Sequence, residues 1–314
     1  MEPTFAIALS SGGARGAYEV GALKYLAERG LRFNAVAGAS IGSLNGAFYV
    51  QGDGSLEHIN ALVELWMGLF DKGLVQVDAS KAIAMLGSVA SKQMPTFVHA
   101  LNAIRSCNGG VLDPRPMERL IDSWIDYDRI INSPNKFIVA ALEEIDPLVD
   151  ISTYAWRKAT YFRASECDRD TLRSLLLAAT AIPFAFASRK VNDRHYSDAA
   201  LVDALPAGEL YRMGYRRIVS VFLSDMTIQN RSDFPEAIMM QIRPSVNIDK
   251  GISSCFDFSK SNIETLINLG YKDGENCFKE AEEIVSRLSK MRELGIIEEQ
   301  LARSLPDRRK GRAN

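Results

Sequence analysis

Gly38-Ala39-Ser40-Ile41-Gly42 reads G-x-S-x-G. Before it, Phe33-Asn34-Ala35-Val36-Ala37 is a short, mostly apolar run. After it, Ile41, Leu44 and Phe48 recur at helical spacing. The stretch predicts a strand that runs into a helix with a serine at the turn. Small neighbours on both sides let such a turn be sharp, and a sharp turn lifts the serine oxygen clear of the sheet. The helix begins at the serine, so its N–H groups and dipole favour negative charge developing there.

Upstream, residues 5–9 read as a short apolar strand that enters Ser10-Ser11-Gly12-Gly13-Ala14-Arg15-Gly16. A helix with Val20, Leu23 and Ala27 on one face follows, with Gly30 as its stop. Strand, glycine loop, helix, strand, serine turn and helix make a parallel βαβ unit, whose two loops leave the same sheet edge. The glycine loop is therefore expected beside Ser40. It has three readings. Successive small residues leave backbone N–H groups free to stabilise an oxyanion near Ser40. A dinucleotide site would need G-x-G-x-x-G and an acidic residue about 20 positions on; positions 11, 13 and 16 are Ser, Gly and Gly, and no acidic residue lies between Glu28 and Asp53. The third reading is a tight turn that packs closely on its helix.

Downstream, residues 53–110 change character. Leu62, Leu65 and Leu69, then Phe97, Leu101 and Ile104, follow helical spacing, with Trp66, Phe70, Met85 and Met94 adding aromatic or soft surface. This reads as a helical insertion over one side of the sheet, either a cap that contacts lipid or additional core. Regular elements then resume: a helix near 116–125, strands at 137–142 and 161–164, and a helix from 172 stopped near Pro183. Tyr196-Ser197-Asp198-Ala199-Ala200 reads as a turn presenting one carboxylate, residues 217–223 as a buried strand, and Ile263, Leu266, Ile267, Ile284, Leu288 and Met291 as helical. The expected organisation is one domain over 1–300 with the insertion at about 53–110, and a basic tail over 301–314 carrying Arg308, Arg309, Lys310 and Arg312.

Composition excludes several classes. The chain has 314 residues, 47% of them apolar, and a formal net charge of −2. That is long enough for a sizeable core and not basic enough for a nucleic-acid partner. Cys107, Cys167, Cys255 and Cys277 are far apart and lack metal-ligand spacing, as expected of thiols in a reducing compartment. No cationic, cleavable leader and no apolar run of membrane-spanning length is visible. The expectation is a cytoplasmic protein, with signal-independent export left open.

With these motifs in place, the chain resembles the patatin-like phospholipases across nearly its whole length. Ser11-Gly12-Gly13-Ala14-Arg15-Gly16 is similar to that family's G-G-G-x-R/K-G oxyanion loop, residues 38–42 to its nucleophile elbow, and Asp198-Ala199-Ala200 to its D-G-A/G motif. Ala178-Ala179-Thr180-Ala181-Ile182-Pro183-Phe184 and Leu201-Val202-Asp203-Ala204-Leu205-Pro206 add support. The resemblance implies a three-layer α/β/α sandwich with a mostly parallel central sheet and a Ser–Asp dyad. Ser40 would be the nucleophile and Asp198 the base. Gly12, Gly13 and Ala14 would supply oxyanion N–H groups, Arg15 would steady the loop, and Gly38 and Gly42 would frame the elbow. Two positions depart from the pattern, Ser11 and Ala199; if either needed φ > 0, its side chain would cost about 1–2 kcal/mol.

The function so implied is a lipid acyl hydrolase of phospholipase A or lysophospholipase type, contacting the membrane surface peripherally. It would work through an acyl-enzyme and without metal or cofactor. An acyltransferase on the same scaffold and a catalytically weak lipid-binding protein are the alternatives, and an activating partner or ligand is left open. A histidine triad is disfavoured. In the Ser…Asp…His order a histidine must follow the acid, and none of His58, His99 and His195 lies beyond Asp198.

Overall fold

Two short apolar strands, β1 (Ala6–Leu9) and β2 (Ala35–Ala39), are buried along their whole length. Each is four or five residues without a charge, the pattern of strands covered on both faces. Between them runs α1 (Gly16–Glu28), and after β2 comes α2 (Ile41–Val50). The computed structural model describes residues 4–69, 112–144, 157–183 and 185–293. The expected stripe at Phe97, Leu101 and Ile104, together with Phe70, Met85, Met94, His99, Cys107, Phe184 and the 301–314 tail, lies outside them.

The remaining described elements follow in order: α3 (Leu56–Met67), α4 (Arg115–Trp124), α5 (Tyr127–Ile131), β3 (Lys136–Glu144), β4 (Thr160–Arg163), α6 (Arg169–Ala179), β5 (Arg189–Val191), β6 (Arg194–Asp198), α7 (Ala207–Arg212), β7 (Arg217–Val221), β8 (Ile238–Ile242) and α8 (Lys260–Glu293). Short 3₁₀ turns fill 13–15, 199–201 and 252–255.

Among the described residues the strands form one sheet in the order β5-β6-β3-β2-β1-β7-β8, with β4 also paired to β3. The five strands β3-β2-β1-β7-β8 are parallel, and β4, β6 and β5 add an antiparallel flank. Helices cover both faces. One face presents Ala6, Ala8, Ala35 and Ala37 to Ala207, Leu210 and Phe222. On the other, α2 lies close because Gly46 sits over Val36, Phe137 and Leu9. The architecture is the three-layer α/β/α sandwich.

Local sequence explains most boundaries. Ser55 caps α3 by accepting the His58 N–H, and Asp168 caps α6 by accepting the Thr171 N–H. Gly30 (φ +74°) follows the end of α1. In α3, Leu62 and Trp66 are buried, as is Leu69 just after it, while Glu57, Asn60 and Glu64 are exposed. By internal contacts the chain divides into units 1–274 and 275–314. In the second, residues 275–293 continue α8, with Ile284, Val285 and Leu288 exposed. No helix among the described residues is long and apolar enough to cross a membrane.

Candidate active site

Register brings Ser40 and Asp198 together. Ala39 at the end of β2 pairs with Ala140 of β3, and Ala141 pairs with Asp198 at the end of β6. One strand therefore separates the two residues, a span of about 10 Å between backbones. Their chain neighbours close the gap: Ala39, Ala140 and Ala199 form a small buried cluster. Larger side chains there would push the serine turn and the aspartate turn apart.

Ser40 itself holds φ 52° and ψ −126°, a conformation costly for a non-glycine residue. Packing enforces it. A Cβ on Gly38 would lie 2.5 Å from the Gly42 carbonyl oxygen, and one on Gly42 would lie 2.6 Å from the Leu9 backbone. Both framing glycines are thus needed for close approach, and the turn cannot relax. Ser40 stands at the N-cap position of α2 without a side-chain capping bond and is 4% exposed.

Asp198 is fully buried. Burial pushes its carboxyl up to about 7, opposed by the Ser40 hydroxyl and the Ala200 N–H. The Ala200 N–H donates to Oδ1 at 2.8 Å, and the Asp198 N–H donates to the Ala181 carbonyl at 3.0 Å. Oδ2 is buried without a hydrogen bond. The Ser40 hydroxyl lowers the carboxyl as a hydrogen-bonding neighbour, yet Oδ2 is left without a hydrogen bond of good geometry. The arrangement is a hydroxyl at a helix N-terminus facing a carboxyl with one free oxygen. Such a pair can pass a proton from Oγ to Oδ2.

The glycine loop lies beside this pair. The Ser11 N–H donates to Ala204 O at 2.8 Å and the Arg15 N–H to Gly12 O at 3.2 Å. Gly13, at φ +57°, lines a small apolar cavity of about 30 Å³ together with Ser40, Ile41, Phe186, Phe256 and Phe258. Neither departure from the family pattern is strained. Among the described residues the non-glycine positions with positive φ are Ser40, Asn192 and Glu236, so Ser11 and Ala199 need no glycine.

Arg15 ties this loop to the segment 249–258. Its Nε donates to Gly12 O at 3.2 Å, its Nη2 to Cys255 Sγ at 3.3 Å, and its Nη1 pairs with Asp249 Oδ1 at 2.6 Å. The Cys255 carbonyl oxygen fills the space in which a Gly13 side chain would lie. Beyond Arg15 a larger cavity of about 570 Å³ opens, lined in part by Leu201, Asp203, Met226 and Ile228; Ser40 does not line it.

His195 is exposed on β6, three residues from the buried Asp198, and is not part of this cluster. His58 stacks on Phe48 and its Nε2 lies 2.6 Å from the Phe48 carbonyl. Among the described residues no His/Cys/Asp/Glu group has the arrangement of a metal site. Two features escaped the sequence reading. One is the segment Cys255-Phe256-Asp257-Phe258, which packs beside Gly13 and Ser40 and has no local signature. The other is Glu19, whose flanking Ala17, Val20, Gly21 and Ala22 mark it as a charge on a buried helix face.

A model of the patatin-like phospholipase family matches residues 7–211. Among solved structures the chain is similar to VipD from Legionella pneumophila, at 13% identity and a TM-score of 0.49, over 89% of this chain and 67% of that one. Human GIVD cytosolic phospholipase A2, solved with methyl gamma-linolenyl fluorophosphonate and terbium chloride, matches at 12% identity and a TM-score of 0.42, over 87% and 57% of the two chains. ExoU in its complex with SpcU, from Pseudomonas aeruginosa, matches at 14% and 0.38, over 88% and 51%. The chain thus spans between about half and two thirds of the length of these proteins.

Proposed function

The chain belongs to the patatin-like phospholipase family, and on that premise we propose that it is a serine hydrolase cleaving carboxylic esters of phospholipids or lysophospholipids. The observation that carries this reading is the buried pair of Ser40, strained at a helix N-terminus, and Asp198, with one unpartnered oxygen. Asp198, once ionised, accepts the Ser40 proton on Oδ2 as Oγ attacks the ester carbonyl. The new oxyanion is held by the N–H groups of Gly12, Gly13 and Ala14 and by the first turn of α2. One such donor is worth about 3–4 kcal/mol of barrier. The alcohol leaves with the proton from Asp198. Water then attacks the acyl-enzyme, returning its proton by the same route.

Access is the second part of the reading. A cavity of about 30 Å³ has room for a water molecule or two, not for an acyl chain. Phe256 and Phe258 narrow the approach to Ser40, so we assign 249–258 as a cover that opens at the lipid surface. The three described cysteines are free thiols, in keeping with a reducing, cytoplasmic setting. The test is turnover of a soluble chromogenic short-chain ester and fatty-acid release from lysophospholipid, with Ser40→Ala as control. Hydrolysis lost in a folded Ser40→Ala protein supports the reading; hydrolysis retained refutes it.

A further inference from the structure

Glu19 takes no part in the chemistry above, yet it is wholly buried on α1. Its Oε1 accepts the Ser10 N–H at 2.5 Å, and its Oε2 accepts Asn45 Nδ2 at 2.9 Å. Asn45 lies on α2, the helix that begins after Ser40. Its Nδ2 also donates to the Gly16 carbonyl at 3.1 Å, and its Oδ1 accepts the Trp66 Nε1–H at 2.9 Å. The direction of every bond follows from Trp66, whose indole N–H can only donate. Asn45 must present its oxygen to Trp66 and its nitrogen to Glu19, so Glu19 must accept on both sides.

The places these bonds reach matter. Ser10 is the entry to the glycine loop and Gly16 its exit. Ser10 Oγ and the Ser11 N–H both donate onward to the Ala204 carbonyl, in the segment after Asp198. We propose that Glu19 is a positioning residue that locks the glycine loop to the helix carrying Ser40, so that oxyanion donors and nucleophile stay aligned. This rests on the reading of Ser40 given above.

A carboxylate is the group the site requires. Glutamine would set an N–H against one of the two donors, and an apolar residue would leave both donors buried and unpaired. Burial pushes the Glu19 carboxyl up to about 8, opposed by the Asn45 and Ser10 bonds. The groups facing it from the end of β1 and from α2, the Ser10 N–H just after the strand and the Asn45 amide, are uncharged. When protonated, the carboxyl turns an O–H toward a donor and keeps one of its two bonds.

The test uses Glu19→Gln alone and combined with Asn45→Asp. The double variant lets the glutamine amide donate to the aspartate, which still accepts from Trp66, although the Gly16 contact is lost. At alkaline pH, where the wild-type Glu19 carboxyl is ionised and accepts both bonds, Glu19→Gln is expected to lower kcat on a soluble ester by about tenfold to a hundredfold, the scale of a small misplacement of reacting groups, with KM unchanged. The double variant is expected to recover part of that loss. A folded Glu19→Gln protein with native kcat, or a double variant no faster than the single one, overturns the proposal. If Glu19→Gln does not fold, Glu19→Asp, which keeps the carboxylate but shortens its reach to Ser10 and Asn45, is read for kcat in its place, and a folded Glu19→Asp protein with native kcat overturns the proposal. Failure of the Ser40 reading is separable. Hydrolysis retained in Ser40→Ala refutes that reading alone, and the Gly12 and Gly13 amide resonances, which need no turnover, still show whether Glu19→Gln shifts the loop. Unmoved resonances overturn the positioning role.

Discussion

Asp198→Asn is expected to abolish hydrolysis and, well above pH 7, to make the protein more stable. The Asp198 carboxyl is fully buried, and burial raises it to about 7 against the opposing influence of Ser40 and the Ala200 N–H. In the unfolded chain it titrates near 3.9. Between those values the folded protein holds a proton that the unfolded chain has released. Stability therefore falls as pH rises through that window, by about 1.4 kcal/mol per pH unit, and levels off above it. The rise to about 7 corresponds to about 4 kcal/mol. Asparagine has no charge to desolvate. It keeps an oxygen for the Ala200 N–H and sets an amide where Oδ2 lacks a partner, within reach of the Ser40 hydroxyl. Above pH 7 the variant should gain up to about 4 kcal/mol, less the cost of imperfect pairing. At about 2–4 °C per kcal/mol that is a rise of several degrees in Tm. Near pH 4 the two proteins should melt together. Thermal melts at both pH values, run beside ester hydrolysis, read the effect. Wild-type kcat/KM should fall as one proton binds near pH 7. A variant no more stable than wild type at alkaline pH, or equally stabilised at acid pH, refutes the reasoning.

Two further variants probe the cover and the loop. Asp249→Asn removes the ion pair that joins the cover to the buried Arg15 guanidinium; with the cover untied, kcat/KM for a soluble short-chain ester should rise. An unchanged or lower kcat/KM in a normally melting protein counts against a cover over Ser40. Gly13→Pro deletes a donor and cannot adopt φ +57°, so kcat should fall on the order of 10²-fold or more. Ser11→Gly should leave kcat unchanged, because position 11 has no positive φ. Melting curves show whether each variant is folded, and a folded Gly13→Pro protein with native kcat would place the oxyanion donors elsewhere.

Chain-local rules made the first βαβ unit legible. Residues 5–9 and 33–37 are short and uncharged, the helices between and after them carry 3.6-residue periodicity, and small residues mark both turns. Those features predict β1, α1, β2 and α2, and with them the adjacency of the glycine loop and Ser40. Asp198 could be chosen only through the family's motif order, because one aspartate among small residues has no periodicity to mark it. Edge strands β5 (Arg189–Val191) and β8 (Ile238–Ile242) went unread. Three residues are too few for a pattern, and β8 reads Ile-Met-Met-Gln-Ile without a clean alternation.

Tertiary structure decided the rest, because those properties depend on residues distant in sequence. The raised carboxyl of Asp198 comes from burial under a sheet register that joins residues 39, 140 and 199. Ser11 and Ala199 looked like defects, and only the backbone shows that neither stands at a positive φ. Arg15 meets Asp249 and Cys255 across more than 230 positions, so its role as an anchor could not be seen locally. Sequence by itself determined which chemical groups the site contains and the order in which the chain delivers them. Solvent exclusion and long-range packing determined their charge and their strain.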